Sequence, residues 1–262
     1  MTSVQSLMTL VAASPRYALR TTHYVLRTMT LTTILLIILL LLLLAGLLYW
    51  LLIITEGVYL GRRAVVAMYD WTAYKYDDIK QYEDFAEQFF VARPLLHRLK
   101  HLPAPRVLDV ATGTGRVPYY LLQEASFNGR ITALDPSTKM LRVAQAKLAG
   151  YGWRVGLVQQ TAVPLPFAPA SFDAVTCLES LEFFPDDVAA LRQMVRVLRP
   201  GGLLLVTRRR GWEAKTFIGR YRNVEQFQQL LESMGLEAVE TQPWQVNYDL
   251  VFARKPGVKR EA

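Results

Sequence analysis

The sequence predicts an α/β protein with a seven-stranded, mostly parallel sheet, one antiparallel strand, helices on both faces and one N-terminal transmembrane helix. Three observations support this prediction. Short apolar runs alternate with helical patterns between residues 106 and 253, a small-residue turn at 111–115 follows the first run, and a leucine-rich stretch fills 31–54. Strands that alternate with helices of about 10–15 residues are typical of parallel sheets covered on both faces.

The leucine-rich stretch is the predicted membrane helix. From residue 31 to 54, only Thr32, Thr33 and Gly46 interrupt the apolar side chains, and no residue is charged. A helix of this length measures about 36 Å, which exceeds the hydrocarbon thickness of about 30 Å. A buried core helix is rarely apolar on all sides over such a length. A signal peptide has a shorter apolar region and a cleavage site with small residues, and that site is missing here.

Charge and composition favour a lipid surface over nucleic acid as the partner. The formal net charge is +8, and five arginines against one acid flank the apolar stretch within the first 64 residues. Basic residues beside such a stretch are typical of contact with acidic headgroups, and no aromatic-basic module for nucleic acid is recognisable. The single cysteine, Cys177, excludes an internal disulfide and is expected to be buried, while the three histidines lack metal-site spacing.

Two observations make opposite predictions for the orientation of the membrane helix. Arg16, Arg20 and Arg27 precede the helix, whereas Arg62 and Arg63 follow it closely. This small difference favours an internal amino terminus. A nucleoside cofactor is more abundant in the cytosol, so we expect the larger domain on the cytoplasmic face.

A helical region follows the membrane segment and leads into the sheet. Tyr, Phe and Leu recur at three- and four-residue steps between residues 64 and 100, and Pro94 is expected to break the helix. We expect strands at 106–112, 131–134, 155–158, 172–178, 203–207, 237–241 and 248–253. We expect helices at 116–125, 137–149, 186–198 and 224–234. Asn223 and Gln226 form a predicted capping box on the last helix, and the last two strands are predicted to form a hairpin.

Chemistry is concentrated where the first two strands end. Gly113 and Gly115 follow the first strand, where glycine lets a ligand approach the backbone closely. Asp135 ends the second strand, at a position where a carboxylate can hold a ribose hydroxyl pair. A dinucleotide site needs a third glycine at position 118, but Pro118 stands there. The turn therefore favours a nucleoside without phosphates, and an NAD-dependent oxidoreductase is disfavoured.

Four segments in this order resemble class I S-adenosylmethionine-dependent methyltransferases, including the methyltransferase type 11 group and the enzymes of ubiquinone and menaquinone biosynthesis. They are residues 107–115, 134–137, 165–173 and 196–202. The resemblance covers roughly residues 65–255 and implies a Rossmann-like sheet with S-adenosyl-L-methionine as cofactor. It implies the cofactor-binding residues Asp109, Ala111, Thr112, Gly113, Gly115, Asp135, Pro136, Met140, Thr161, Ala162 and Glu179.

The chain also departs from the family pattern. Ala111 stands where glycine is frequent, and Thr161 replaces an aspartate that often faces the adenine amino group, which implies weaker cofactor affinity. Glu179 and Glu182 follow the fourth strand where relatives have a histidine pair. Glu182 is the candidate catalytic residue, as a general base or a partner for a cationic acceptor. The alternative is a helix-capping carboxylate beside a solvated one.

Aromatic and basic clusters leave further alternatives open. Tyr69, Trp71, Tyr74 and Tyr76 are suited to form a lid over the site, although an ordinary packing face or a membrane-interface belt is favoured. The arginines at 208–210 follow the fifth strand, so they face either a substrate or solvent. Methyl transfer requires mainly alignment of the reacting atoms, so no catalytic triad or metal cluster is expected.

These observations predict five segments and one leading function. The segments are a basic N-terminal segment (1–30), a transmembrane helix (31–54), a linker and helical region (55–102), an S-adenosylmethionine-binding methyltransferase domain (103–256) and a C-terminal tail (257–262). The predicted function is methyl transfer to an apolar or membrane-associated acceptor, such as a lipid, a quinone precursor or a phospholipid headgroup. The predicted partners are the lipid bilayer and a small-molecule or lipid substrate. The alternative is a non-catalytic, membrane-tethered binding module of the same fold.

Overall fold

The computed structural model describes residues 15–257, and the chain divides between Ile53 and Ile54 into two compact units, of which the second contains the sheet. The first 14 residues of the basic segment and residues 258–262 of the predicted tail (257–262) lie outside the described residues. Each unit is described by itself below.

The first unit is a single long helix. Helix α1 covers Pro15–Tyr49, and a π-helical turn, Trp50–Ile54, follows it. Proline suits a first helical position because its missing N–H has no partner there in any case. The segment Thr30–Ile54 is long and apolar enough to span a membrane, and none of its hydrophobic window is buried. Residues 15–30, which were assigned to a separate basic segment, belong to the same helix.

Short helices precede the sheet in the second unit. They are α2 (Arg62–Thr72), α3 (Tyr76–Lys80), α4 (Asp84–Glu87) and α5 (Arg93–Leu99). The predicted break at Pro94 is wrong, because Pro94 lies in the first turn of α5 and a π-helical turn, Gln88–Ala92, connects α4 to α5. That early position in α5 tolerates the missing proline N–H. The chain breaks instead after α3, where Gln81 adopts a left-handed backbone with φ of 48°.

A seven-stranded sheet forms the centre of the second unit. Its strands are β1 (Arg106–Val110), β2 (Arg130–Asp135), β3 (Val155–Gln159), β4 (Phe172–Cys177), β5 (Leu198–Arg209), β6 (Glu237–Gln245) and β7 (Tyr248–Arg254). The strand order is β3-β2-β1-β4-β5-β7-β6. Strand β7 pairs antiparallel with β5 and β6, and the other observed pairings are parallel. The predicted mostly parallel sheet, its single antiparallel strand and the terminal hairpin are confirmed.

Helices cover both faces of the sheet. They are α6 (Arg116–Gln123), α7 (Thr138–Leu148), α8 (Asp187–Val197) and α9 (Val224–Ser233). Side chains alternate along each strand, so Leu108 packs in a core with α8 and α9, whereas Val107 packs in a second core with α5, α6 and α7. The predicted capping box of Asn223 and Gln226 on α9 is confirmed.

The fifth strand begins earlier than predicted. Helix α8 ends at Val197, and Leu198 already has the extended backbone of β5. Pro200 contributes to this boundary, since a residue that precedes proline is disfavoured in the helical conformation. The carboxyl end of β5 nevertheless lies beside that of β4.

Candidate functional site

The carboxyl ends of β1, β2 and β4 open onto a cavity of about 310 Å³. The connections after these three strands supply much of its wall, and α2, the segment around α3, the start of α6 and the connection after β3 supply the rest. Strands β1 and β4 are neighbours although they are not consecutive, so the strand order reverses between them. Such a reversal is the usual position of ligand sites in open α/β sheets.

The turn after β1 follows the cavity closely with its backbone. Ala111 and Gly113 both have φ of 55°, a left-handed conformation that glycine adopts without steric cost. This explains why glycine is frequent at the position that Ala111 occupies. A Cβ atom on Gly113 would have no protein atom within 4 Å, and Gly113 lines the cavity. The missing side chain therefore keeps that space open.

Asp135 connects the ends of β1 and β2. Its Oδ2 accepts the Gly113 backbone N–H at 2.9 Å, and its Oδ1 accepts the Ser137 N–H at 2.8 Å. Burial raises the pKa of Asp135 to about 6, although these two hydrogen bonds favour the ionised form. Each carboxylate oxygen has a second lone pair, so Asp135 keeps acceptor capacity on the wall of the cavity.

Asp109 is a second buried carboxylate on this wall. It accepts the Thr112 hydroxyl at 2.6 Å and the Thr176 hydroxyl at 2.5 Å. Burial raises its pKa to about 6, and the two hydroxyl donors partly offset that effect. At pH 7 both Asp109 and Asp135 are therefore mainly ionised, and both place negative charge on the wall of the cavity.

Glu179 also lines the cavity and is held by two cations. Its Oε1 is 2.7 Å from Arg116 Nη1, and its Oε2 is 2.8 Å from Lys80 Nζ. Burial raises the pKa of Glu179, but the two cations outweigh it and lower the pKa to about 2. A carboxylate with this pKa does not accept a proton at neutral pH, so Glu179 is not suited to act as a general base.

Aromatic side chains line the remaining wall. Tyr69 and Tyr76 face the cavity from the segment before the sheet, together with Tyr82, Phe183 and Phe184. Four aromatic residues were considered as a lid over the site, and two of them, Tyr69 and Tyr76, line the cavity. Trp71 and Tyr74 are exposed instead.

Polar contacts hold α2 and α3 over the two loops of the site. Asp70 of α2 accepts the Ser137 hydroxyl at 2.5 Å, and Asp77 of α3 accepts the Thr114 hydroxyl at 2.5 Å. Lys147 of α7 forms an ion pair with Asp77. The helices that carry the aromatic wall are therefore fixed to the turn after β1 and to the start of α7.

Most of the proposed cofactor-binding residues share this one cavity. Those on its wall are Asp109, Ala111, Thr112, Gly113, Asp135, Pro136, Thr161, Ala162 and Glu179. The hydroxyl of Thr161 donates to the Val163 carbonyl at 3.0 Å.

Gly115 and Met140 do not line the cavity, so their assignment as cofactor-binding residues stays a prediction. Gly115 has φ of 81°, and a Cβ atom there would lie 2.9 Å from Leu148 Cδ1 and 3.2 Å from Ala144 Cβ. Its role is the close contact between the turn and α7. Met140 is buried in the core, and its backbone N–H donates to the Ser137 hydroxyl that caps α7.

Glu182 does not line the cavity, and its assignment as the catalytic residue stays a prediction. It is buried in a short 3-10 turn, Leu181–Phe183, which turns its side chain toward β5 and β7. Its Oε1 is 3.2 Å from Arg209 Nη1 and accepts the Tyr248 hydroxyl. Glu182 is therefore the structural partner of a buried arginine.

The arginines at the end of β5 and in the segment that follows it are mostly paired with acids. Arg208 and Arg210 both form ion pairs with Asp249, and Arg222 forms one with Asp187. Among residues 15–257, no group of three or more His, Cys, Asp or Glu is arranged to hold a metal ion. Cys177 is fully buried in β4, and burial raises the pKa of its thiol.

Sequence reasoning did not assign several residues of the cavity wall to the site, among them Tyr82, Arg116, Phe183 and Phe184. Arg116 follows the glycine turn directly, but only the tertiary structure brings it to Glu179, 63 positions later. The two phenylalanines lie in the segment after β4 that already differed from the family pattern. An apolar pair at that position was the available signal.

Comparisons with known proteins agree with this arrangement. Residues 107–202 match the family model described as a methyltransferase domain. The ubiquinone/menaquinone biosynthesis C-methyltransferase UbiE of Geotalea daltonii is 31% identical over 53% of this chain and 60% of its own length. The chain thus spans about 60% of the length of this curated relative.

Solved structures share the fold. A 1,6-didemethyltoxoflavin-N1-methyltransferase from Burkholderia thailandensis, solved with S-adenosylhomocysteine, has a TM-score of 0.57 at 20% identity and covers 73% of this chain and 87% of its own. A protein from Methanococcus maripaludis, described as an S-adenosylmethionine-dependent methyltransferase, has a TM-score of 0.56 at 20% identity over 74% and 95% of the two chains. The likeness to these solved structures shows a shared fold, and the match to a methyltransferase domain covers residues 107–202.

Proposed function

We propose that this chain transfers a methyl group from S-adenosylmethionine to an apolar, membrane-associated acceptor such as a quinone precursor or another lipid. The observation that carries the proposal is a single cavity whose wall combines two buried carboxylates, a glycine turn and several aromatic side chains. The name of the UbiE relative describes methylation at carbon in quinone biosynthesis, and it supports an acceptor of that class.

The polar groups on the cavity wall fit a sulfonium nucleoside. Asp135 has free lone pairs for a ribose hydroxyl pair, and the ionised Asp109 suits an ammonium group. The backbone of Gly113 leaves room for a ligand, since no side chain fills that space. When bound there, S-adenosylmethionine supplies an electrophilic methyl group on a sulfur that is a good leaving group.

The aromatic side chains on the cavity wall fit an apolar acceptor. The rings of Tyr69, Tyr76 and Phe183 offer apolar faces, and such faces also attract a cation such as a sulfonium. The charged groups nearby are already paired, with Glu179 between Lys80 and Arg116. We therefore assign these residues the roles of orienting the acceptor and excluding water, with rate enhancement arising mainly from alignment.

The apolar helix supports a membrane-associated acceptor. Tethering a domain to a bilayer raises its local concentration only toward molecules that are also in the bilayer, and Thr30–Ile54 is long enough to serve as such a tether. We further propose a single-pass arrangement with the methyltransferase domain in the cytoplasm, where S-adenosylmethionine is made. Protection of a carboxyl-terminal tag from external protease in intact cells is the expected result, and its cleavage there would contradict this orientation.

Transfer of labelled methyl groups in membranes tests the function. Membranes that contain the full chain are incubated with methyl-labelled S-adenosylmethionine, and lipids are then extracted into organic solvent. We expect label in the organic phase with the wild type and with Glu237→Ala, an exposed control on β6, but not with Asp135→Ala. Label confined to protein or water-soluble products would contradict a lipid acceptor.

Failure to bind the cofactor would point to the non-catalytic alternative. Calorimetric titration of the full chain in nanodiscs with S-adenosylmethionine distinguishes a methyltransferase from a non-catalytic binding module. Binding without transfer to any extracted lipid would leave the cofactor site intact and redirect the search for the acceptor. A folded chain that takes up no S-adenosylmethionine would be a binding module.

A further inference from the structure

We infer that a surface of the second unit, the Tyr59 surface, rests on the headgroups of an anionic bilayer. It consists of Tyr59, Leu60, Arg62, Arg63, Lys215 and Ile218. This inference concerns how the domain meets the membrane, and it does not require that the acceptor be a lipid.

Two distant parts of the chain form this surface. The Tyr59 hydroxyl donates to the Thr216 carbonyl at 2.8 Å and accepts the Ile218 backbone N–H. Beneath them, Val58 and Phe217 pack together in a small buried core. The segments around residues 59 and 218 are therefore held together, although more than 150 positions separate them in the sequence.

Apolar side chains at this contact are exposed rather than covered. Ile218 is 70% exposed and Leu60 is 52% exposed, while Tyr59 presents its ring at the same place. A large aliphatic side chain is costly to leave in water. Tyrosine beside aliphatic residues is typical of the membrane–water interface.

The surrounding charge is positive. Arg62, Arg63 and Lys215 are exposed, and none of them forms a salt bridge with another residue among 15–257. The acids of these two segments are engaged elsewhere, with Glu213 paired to Arg209 and Glu56 accepting the Tyr69 hydroxyl. Each basic side chain near an anionic membrane contributes about a fivefold preference for the bound state.

Chain continuity identifies the bilayer as the occupant. The candidate span ends at Ile54, five residues before Tyr59. Five extended residues reach at most about 18 Å, so, with Thr30–Ile54 in the bilayer as proposed above, the covalent chain keeps the Tyr59 surface near the bilayer surface. A protein partner would have to compete with lipid headgroups that are always within this distance.

This surface also adjoins the cavity. Arg62 and Val65 line the cavity wall, and Val65 belongs to the same small core as Val58 and Phe217. Docking of the Tyr59 surface would therefore hold one wall of the cavity close to the headgroups. An apolar acceptor would then have a short path from the bilayer to the aromatic side chains of the cavity.

Site-directed spin labelling of the full chain in nanodiscs tests the inference. A nitroxide is attached to Ile218→Cys, and a matched control label to Trp153→Cys, which is 72% exposed. Trp153 precedes β3 and so lies at the amino-terminal end of the parallel strands, opposite the loop that follows β5. The buried native Cys177 is not expected to react.

We expect the label at 218, but not that at 153, to be shielded from a water-soluble relaxation agent when the nanodiscs contain phosphatidylglycerol. Replacing two exposed cations in Arg63→Gln/Lys215→Gln should lower the docking equilibrium about 25-fold at low salt. Circular dichroism checks that the variant remains folded.

Two results would overturn the inference. A label at 218 that is as accessible to the water-soluble agent as the label at 153 would show that this surface faces solvent. Shielding that is equal in pure phosphatidylcholine and unchanged by the double substitution would show that anionic headgroups are not what it contacts.

Discussion

Replacement of Asp135 is the sharpest test of the cofactor site. Its two oxygens already hold the backbone N–H groups of Gly113 and Ser137, and the free lone pairs are proposed to accept two ribose hydroxyls. A hydrogen bond to a charged group contributes about 1.5 kcal/mol or more, which is about tenfold in affinity. Asp135→Asn keeps one acceptor oxygen and should weaken S-adenosylmethionine binding about tenfold. Asp135→Ala should weaken it about 100-fold.

Calorimetric titration of the full chain in nanodiscs measures this affinity. Glu237→Ala serves as the matched control because it removes an exposed carboxylate on β6, away from the cavity. Asp135→Asn keeps only one acceptor oxygen, so the N–H of either Gly113 or Ser137 loses its partner and the Tm should fall. A folded Asp135→Ala variant with the affinity of the wild type would refute the assignment of the ribose contact.

Three further predictions concern pH, the glycines and Glu182. Affinity for S-adenosylmethionine should fall about tenfold per carboxylate from pH 7.5 to pH 5, because Asp109 and Asp135 take up protons near pH 6; titrations at both pH values measure this. Gly113→Ala should reduce affinity more than Gly115→Ala, whereas Gly115→Ala should lower the Tm more, because its Cβ would meet α7. Glu182→Gln should leave kcat little changed but lower the Tm, since Arg209 would lose its buried carboxylate.

The buried carboxylates also make the free energy of unfolding depend on pH. The folded pKa values of Asp109 and Asp135 lie above the usual value of an aspartate, so their contribution to the free energy of unfolding increases as the pH falls from about 7 to 4. Glu179 has a lowered pKa, and its stabilising contribution is lost only as the pH falls below about 4.5 toward 2. Affinity that is the same at pH 5 and pH 7.5 would contradict the pH prediction.

The glycine and glutamate predictions are refuted in different ways. Wild-type affinity in Gly113→Ala would show that no ligand approaches this turn. Equal Tm values for the Gly113→Ala and Gly115→Ala variants would contradict the close packing of Gly115 on α7. A loss of kcat in Glu182→Gln at unchanged Tm would restore Glu182 as a catalytic residue.

Local patterns predicted the sheet well because each strand has a distinct apolar run between polar turns. The alternation of Leu108 and Val107 between two cores follows directly from the strand period of two. The pair of Asn223 and Gln226 marked the start of α9 because capping depends only on neighbours three residues apart. The placement of Asp135 at a strand end likewise followed from the end of an apolar run.

Features that depend on tertiary contacts were not predictable in the same way. A proline normally ends a helix, and no local pattern indicates the π-helical turn that connects α4 to Pro94 in α5. An aromatic stripe does not reveal which side faces a cavity, so Tyr69 and Trp71 were indistinguishable. The three-residue turn around Glu182 decides whether that carboxylate faces the cavity or Arg209, and so short a turn has no sequence periodicity.

An experimental structure of the full chain with S-adenosylhomocysteine tests the central claim most directly. We expect the ribose hydroxyls within hydrogen-bond distance of the Asp135 carboxylate, the nucleoside against the turn at Gly113, and the sulfur directed toward Tyr69 and Tyr76. A nucleoside bound outside this cavity, or bound inside it with Asp135 turned away from the ribose, would contradict the proposed site.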